Sequence, residues 1–348
     1  MKVRASLALI AGAAGALAVA VPSAVAAQAA ASHAAAGHTP AVADAPAAAR
    51  TPETARTSET AHLRAAAVAP VVRVSGEVSS PTSYTQAELA KLPRTRFRAF
   101  DGLHVVTDTG VALDRLVDDA RPAYPTTLKN TRNEMVRVTV TVTGASGSGV
   151  TFALGELVKD FGSHPAYLAL TQGGKQMPHG PELVVPGDSG TLRWIHHVRQ
   201  VTIGIASASA TDTSPPAGSP LEVIEGRKVI TLSAARLAHL PAEALTVSFS
   251  GPKGMETKTE TGPSLLTVLH AARVTWNPDT TVTAVGDDNY TVVVTPDEQV
   301  VGHRKLQLSL VQDKVRLPQP RLVPDGDFYG DRFDYDLVDL YVGSGPAS

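Results

Sequence analysis

A chain of 348 residues without a single cysteine must hold its folded part together by apolar burial, since disulfides are not available. Lys plus Arg number 31 against 33 for Asp plus Glu, a balance that offers no general attraction to nucleic acid or acidic lipid. No G-x-S-x-G, H-E-x-x-H or glycine-rich phosphate loop is present, which removes the commonest hydrolase, zinc-protease and nucleotide-binding readings.

In chain order, residues 1–26 are expected to be a secretory signal peptide. Lys2 and Arg4 start it, an apolar run follows over 7–21, and Ala24-Val25-Ala26 closes it. The run is mostly Ala and Gly, too weakly apolar for a membrane anchor, and no Cys follows it for lipid attachment. The expected location is therefore extracytoplasmic, with no anchor after cleavage. Residues 27–70 carry Ala, Thr, Pro and scattered His (His33, His38, His62) without Phe, Tyr, Trp, Ile or Met, a composition that predicts a spacer unable to bury a core. The remainder suits two modules, 71–205 and 221–348, joined by a Ser/Thr/Pro-rich linker over 206–220. In the first, a helix over 85–92 is capped by Thr85 with Glu88 three residues on. A second helix covers 113–120, an alternating strand 136–142, a turn 144–149, a helix 152–158 and a strand 198–203. In the second, a helix over 265–272 precedes strands at 281–285 and 290–295 around the turn 286–289.

Internal similarity is the most informative feature. Thr107-Asp108-Thr109-Gly110-Val111-Ala112-Leu113 finds a partner in Thr259-Glu260-Thr261-Gly262-Pro263-Ser264-Leu265, and each leads a short amphipathic helix. Upstream, Leu89-Ala90-Lys91-Leu92-Pro93 matches Leu237-Ala238-His239-Leu240-Pro241, after Gly76 and Gly226 respectively. Residues 183–204 lie without a gap on 322–343, which sets Gly187-Asp188 on Gly326-Asp327, Arg193 on Arg332, Trp194 on Phe333 and Val201 on Leu340. Matches in one order predict two diverged copies of a β-rich module.

The first copy opens with Val74-Ser75-Gly76-Glu77-Val78-Ser79-Ser80-Pro81 and ends a helix with L-x-x-L-P at 89–93. Thr109-Gly110-Val111-Ala112-Leu113 leads the next helix. His179-Gly180-Pro181-Glu182-Leu183-Val184-Val185-Pro186-Gly187 then precedes Arg193-Trp194. This order resembles the molybdopterin-binding domain of the sulfite-oxidase-like oxidoreductases over 71–204, and over 221–343 through the repeat. The resemblance implies an α+β fold: a strand-dominated, mixed-sheet domain of the sulfite-oxidase molybdopterin-binding type, here duplicated in tandem. It also implies a molybdenum cofactor held by a soft thiolate. The equivalent stretches, 95–104 and 247–255, contain no Cys, and Ser248 and Ser250 offer only hydroxyls. The family's Arg after H-G-x-P is replaced around Glu182, where a carboxylate repels a pterin phosphate.

No catalytic residue and no metal ligand is assigned. Three residues are candidates for a cofactor or ligand contact: His179 between a proline and a glycine, Arg193 at the family's basic position, and Gly187 in the Pro-Gly turn. His196 and His197, adjacent on a strand, point to opposite faces and cannot share one metal. The acidic run 325–336 lacks the spacing of an EF-hand loop, and its place on the copy-one turn predicts an exposed hairpin connection. The function expected is a secreted, non-catalytic binding or scaffold module with no cofactor, whose partner is an envelope component or another protein. Two alternatives stand beside it. One is an extracytoplasmic molybdopterin-dependent oxidoreductase with a non-cysteine metal environment; the other is a cell-envelope recognition protein.

Overall fold

In the computed structural model residues 71–346 are described, all within one compact unit. The signal segment 1–26 and the spacer 27–70 lie outside the described residues. The first half runs β1 (Val71–Gly76), β2 (Thr82–Thr85), α1 (Gln86–Leu89), β3 (Thr95–Phe100), β4 (Val105–Ala112) and α2 (Leu113–Ala120). It continues with β5 (Val138–Gly144), β6 (Gly149–Ala153), α3 (Leu154–Leu157), β7 (Tyr167–Gln172), β8 (Lys175–Gln176), β9 (Glu182–Val184) and β10 (Val198–Ile205). The second half runs β11 (Leu221–Glu225), β12 (Lys228–Leu232), α4 (Ala234–Ala238), β13 (Glu243–Gly251), β14 (Gly254–Gly262) and α5 (Leu265–Ala271). It ends with β15 (Thr280–Gly286), β16 (Thr291–Val294), α6 (Pro296–Val300), β17 (Leu306–Gln312), β18 (Val315–Pro324) and β19 (Leu337–Ser344).

These strands form four sheets. One has the order β2-β1-β10-β5-β6, and β12-β11-β19-β15-β16 repeats it; in both, the first strand lies parallel to the last, Val74 beside Val201 and Val223 beside Leu340. The others are β3-β4-β7-β8, with β9 also paired to β7, and β13-β14-β17-β18. The expected mixed-sheet α+β domain of the sulfite-oxidase type, in tandem, is thereby overturned: the four sheets form a four-bladed, propeller-like arrangement. The physical reason lies in the helices. They run four to eight residues, one or two turns, too short to cover a sheet as a layer, so the sheets cover one another.

Two apolar cores result. The first joins Val72, Val140, Val201 and Ile203 of one sheet to Val111, Leu168 and Leu183 of its neighbour, with Leu113, Leu116 and Val117 of α2 wedged beside them. The second joins Val223, Val282, Val292 and Leu340 to Leu306, Leu308 and Leu322, with Leu265, Val268 and Leu269 of α5. The Val/Thr alternation of β5 sends Val138, Val140 and Val142 into the first core while Thr139 and Thr141 are buried on the opposite face. β15 does the same with Thr281 and Thr283, and Ala153, Ala206 and Val293 pack together where the halves meet. Residues 136–137, read from the sequence as strand, instead end a 3₁₀ turn over Glu134–Arg137.

The repeated glycine of T-D-T-G and T-E-T-G has a steric cause. A Cβ on Gly110 would stand 2.4 Å from the Leu168 carbonyl oxygen, and one on Gly262 would stand 1.9 Å from that of Leu308. Each glycine admits the neighbouring strand at a bulge or crossing where a side chain has no room.

Candidate functional site

The sequence candidates have separate surroundings. Arg193 sits between β9 and β10 with no exposure to solvent. Its Nε and Nη2 donate to the two Asp188 carboxylate oxygens (2.8 and 2.5 Å) and Nη1 donates to Glu156 Oε1 (2.6 Å). His179 is exposed, its ring edge-on to that of His197 at 5.4 Å. Gly187 lies in an exposed turn at φ +97°, against the ring of His164. His196 and His197 occupy a bend ahead of β10 rather than a strand, with His197 in the left-handed region at φ 52°. Ser248 bonds Thr257 through their hydroxyls at 2.9 Å, and the Ser250 N–H donates to the Phe328 carbonyl.

Arg332, the repeat partner of Arg193, is equally enclosed. Its Nη2 donates to both Glu298 oxygens (2.8 and 2.6 Å) and Nη1 to Asp327 at 3.4 Å, while Arg304 also donates to Asp327. His164 Nε2 lies 2.9 Å from Asp188, taking the place Arg304 has beside Asp327. The two clusters face each other across the junction. The Arg332 side chain rests on Gly155 of the first half, Arg193 Nη2 lies close to Gly302 of the second, and the Ser189 N–H donates to the Val301 carbonyl. Burial pushes Glu156 up to about 7, with Glu298 adding to the rise against the pull of Arg193. Asp297 and Asp327 rise to about 6, again from burial first. Burial alone would raise Asp188 too, but the hydrogen bonds from Arg193 and His164 win and hold it below the ordinary value.

The acidic run departs from an exposed connection. Asp327 and Asp334 are buried, and neither Asp334 oxygen has a hydrogen-bond partner; burial, reinforced by Asp288, drives its carboxyl well above the ordinary value. Among the described residues no group of three or more His, Asp or Glu side chains is placed to hold a metal ion.

An open apolar groove of about 640 Å³ lies in the second half, away from His179 and Arg193. Its wall is formed by α4 (Leu237, Ala238), the linker at Gly218, and Leu310, Leu317 and Pro320 of the β17–β18 hairpin. Arg316 is its one charged lining residue.

Sequence reasoning missed Asp108. It is 1% exposed, and neither carboxylate oxygen makes a hydrogen bond. Burial raises its pKa to about 6, the charge of Glu182 adds to this, and the nearby Gly173 N–H offsets part of it. The signal was in the repeat: an acidic residue inside a strand motif recurs at Glu260. The residues present do not fit a pterin cofactor's phosphate, because the position that the resemblance assigns to a cation holds Glu182 beside Asp108, and Arg193 and its repeat partner Arg332 are taken up by carboxylates.

No protein-family model matches the chain, and no curated protein matches it. Among solved structures it is similar to the sulfane dehydrogenase SoxCD from Paracoccus pantotrophus, at 16% identity and a TM-score of 0.31, over 64% of this chain and 68% of that one.

Proposed function

We propose that the chain is a binding module that takes an apolar ligand with one anionic end in the groove of its second half, without catalysing a reaction on it. One observation carries this reading: a groove of about 640 Å³ whose lining is apolar apart from a few neutral polar residues and a single cation, Arg316. That volume falls within the range of small-molecule sites. Arg316 is exposed and pairs with no carboxylate among the described residues, so its guanidinium is open to a carboxylate, sulfonate or phosphate. The buried arginines support binding over cofactor chemistry, since Arg193 and Arg332 neutralise internal carboxylates instead of offering themselves to an anion.

Anilinonaphthalene sulfonate, a rigid apolar body with one anionic group, is a direct probe. Saturable one-to-one binding is expected, weakened about tenfold by Arg316→Ala, the loss of one charge-assisted contact. Ala238→Trp, at an exposed position on the groove wall, is expected to block it. Binding that never saturates, or that ignores both substitutions, refutes the assignment.

A further inference from the structure

We propose that Asp108 and Glu182 form a receiving site for an organic cation, a guanidinium or primary ammonium group supplied from outside the chain. The second half shows the same position with its cation built in. There Glu260 is fully buried and has three partners: Ser309 Oγ donates to Oε2 (2.6 Å), while Gln312 Nε2 (2.8 Å) and Arg321 Nη1 (3.2 Å) donate to Oε1. The Arg321 guanidinium lies over the Tyr335 ring, 3.9 Å from its centre.

Strand register makes the two positions equivalent. Asp108 stands opposite Gln172 as Glu260 stands opposite Gln312. Glu182 pairs with Ala169 as Arg321 pairs with Ser309. Gly110 presses on Leu168 and Ala169 as Gly262 presses on Leu308 and Ser309. The first half has therefore lost each partner of the buried carboxylate. The serine hydroxyl has become the methyl of Ala169, the glutamine side chain of Gln172 is exposed, and the arginine has become Glu182. What remains is a buried carboxylate with no hydrogen bond, where the second half holds a guanidinium.

The site has a floor and reaches solvent at Glu182. Asp108 and Gly110 share a face of β4, and Gly110 pairs with Ala169, which pairs with Glu182, so the two residues between the carboxylates along this path carry only a hydrogen and a methyl. Glu182 is one-fifth exposed, and its Oε1 lies 3.0 Å from Nδ1 of His196, the residue at the position of Tyr335. Two carboxylates flanking a small floor, with an aromatic ring at the rim, repel anions and match a planar or ammonium cation. A metal ion is not served, because a third ligand is not in place.

Trp194 packs against the apolar cluster of Ala169 and Val184, so in a Trp276→Phe background its fluorescence reports on this face. The probes are Nα-acetyl-arginine amide and Nα-acetyl-lysine amide. At least one is expected to give a saturable change, weakened about tenfold or more by Asp108→Asn and by Glu182→Gln. Glu182→Arg is expected to abolish probe binding and raise Tm, because the chain then supplies its own cation as Arg321 does. No saturable response to either probe, equal affinity in Asp108→Asn, or a response to calcium ion alone overturns the proposal.

Discussion

At the scale of the residue, the unpaired carboxyl of Asp108 sets a pH dependence whose sign follows from its environment. An aspartate in the unfolded chain titrates near 3.9, whereas burial, with Glu182 second, brings Asp108 to about 6 in the fold. The folded state therefore holds its proton over a window in which the unfolded state has released it. Stability from this group is complete below about pH 4 and is lost as pH rises through about 6. Asp108→Asn removes the charge, so it is expected to raise Tm at pH 8 and to leave it nearly unchanged at pH 4; equal effects at both would contradict the burial argument. The sequence reveals that Arg193 and Arg332 recur at one position, but not their role. Asp188 is five residues away and readable beside the Pro-Gly turn, whereas Glu156 and Glu298 arrive from α3 and α6, and only the fold brings them in. Asp108 was readable as half of a repeated acidic position. Its isolation was not, because it depends on Ala169 and Glu182 from two other strands.

At the scale of the element, local pattern served where local physics decides. α2 forms over the residues its i, i+3, i+4 spacing indicates, burying Leu113, Leu116, Val117 and Ala120. Thr85 and Glu88 close the capping box their spacing suggests. It failed where alternation continued into a 3₁₀ turn at Val136 and Arg137, and where His196 and His197 bend out of the strand they precede. The repeated glycines give an element-level test. Gly110→Ala and Gly262→Ala force a methyl into a neighbouring carbonyl, and each is expected to cost about 1–3 kcal/mol in urea unfolding, the usual range for overpacking. Gly190, with open space around it, is the control: its alanine variant is expected to be neutral. An equal cost at all three positions would remove the steric explanation.

At the scale of the whole molecule, the chain places its threonine faces and its two ionic clusters at the junction of the halves. Each arginine rests on or beside a glycine of the other half, and the field of Arg332 reaches Glu156. Arg193→Ala leaves Glu156 and Arg332→Ala leaves Glu298 buried without its arginine partner, while Asp188 keeps His164 and Asp327 keeps Arg304, and each variant is expected to cost about 3–5 kcal/mol. The double variant is expected to cost less than their sum, because both drain one shared network; strict additivity would mean two independent clusters. The four-sheet arrangement was not legible beforehand, since β1 pairs with β10 and β11 with β19 across more than a hundred residues, and no local pattern encodes such partners. Short helices were legible, but the expectation drawn from the resemblance was still an α+β mixed-sheet domain. One edge of this architecture bears on how the molecule behaves in crowded solution. β18 ends its sheet and carries Pro318, Pro320 and Pro324, none of which has an amide hydrogen to offer, while the Gly218 N–H already takes the Pro318 carbonyl. A passing strand finds no regular ladder to extend there, so this rim of the sheet is guarded against edge-to-edge pairing with another chain.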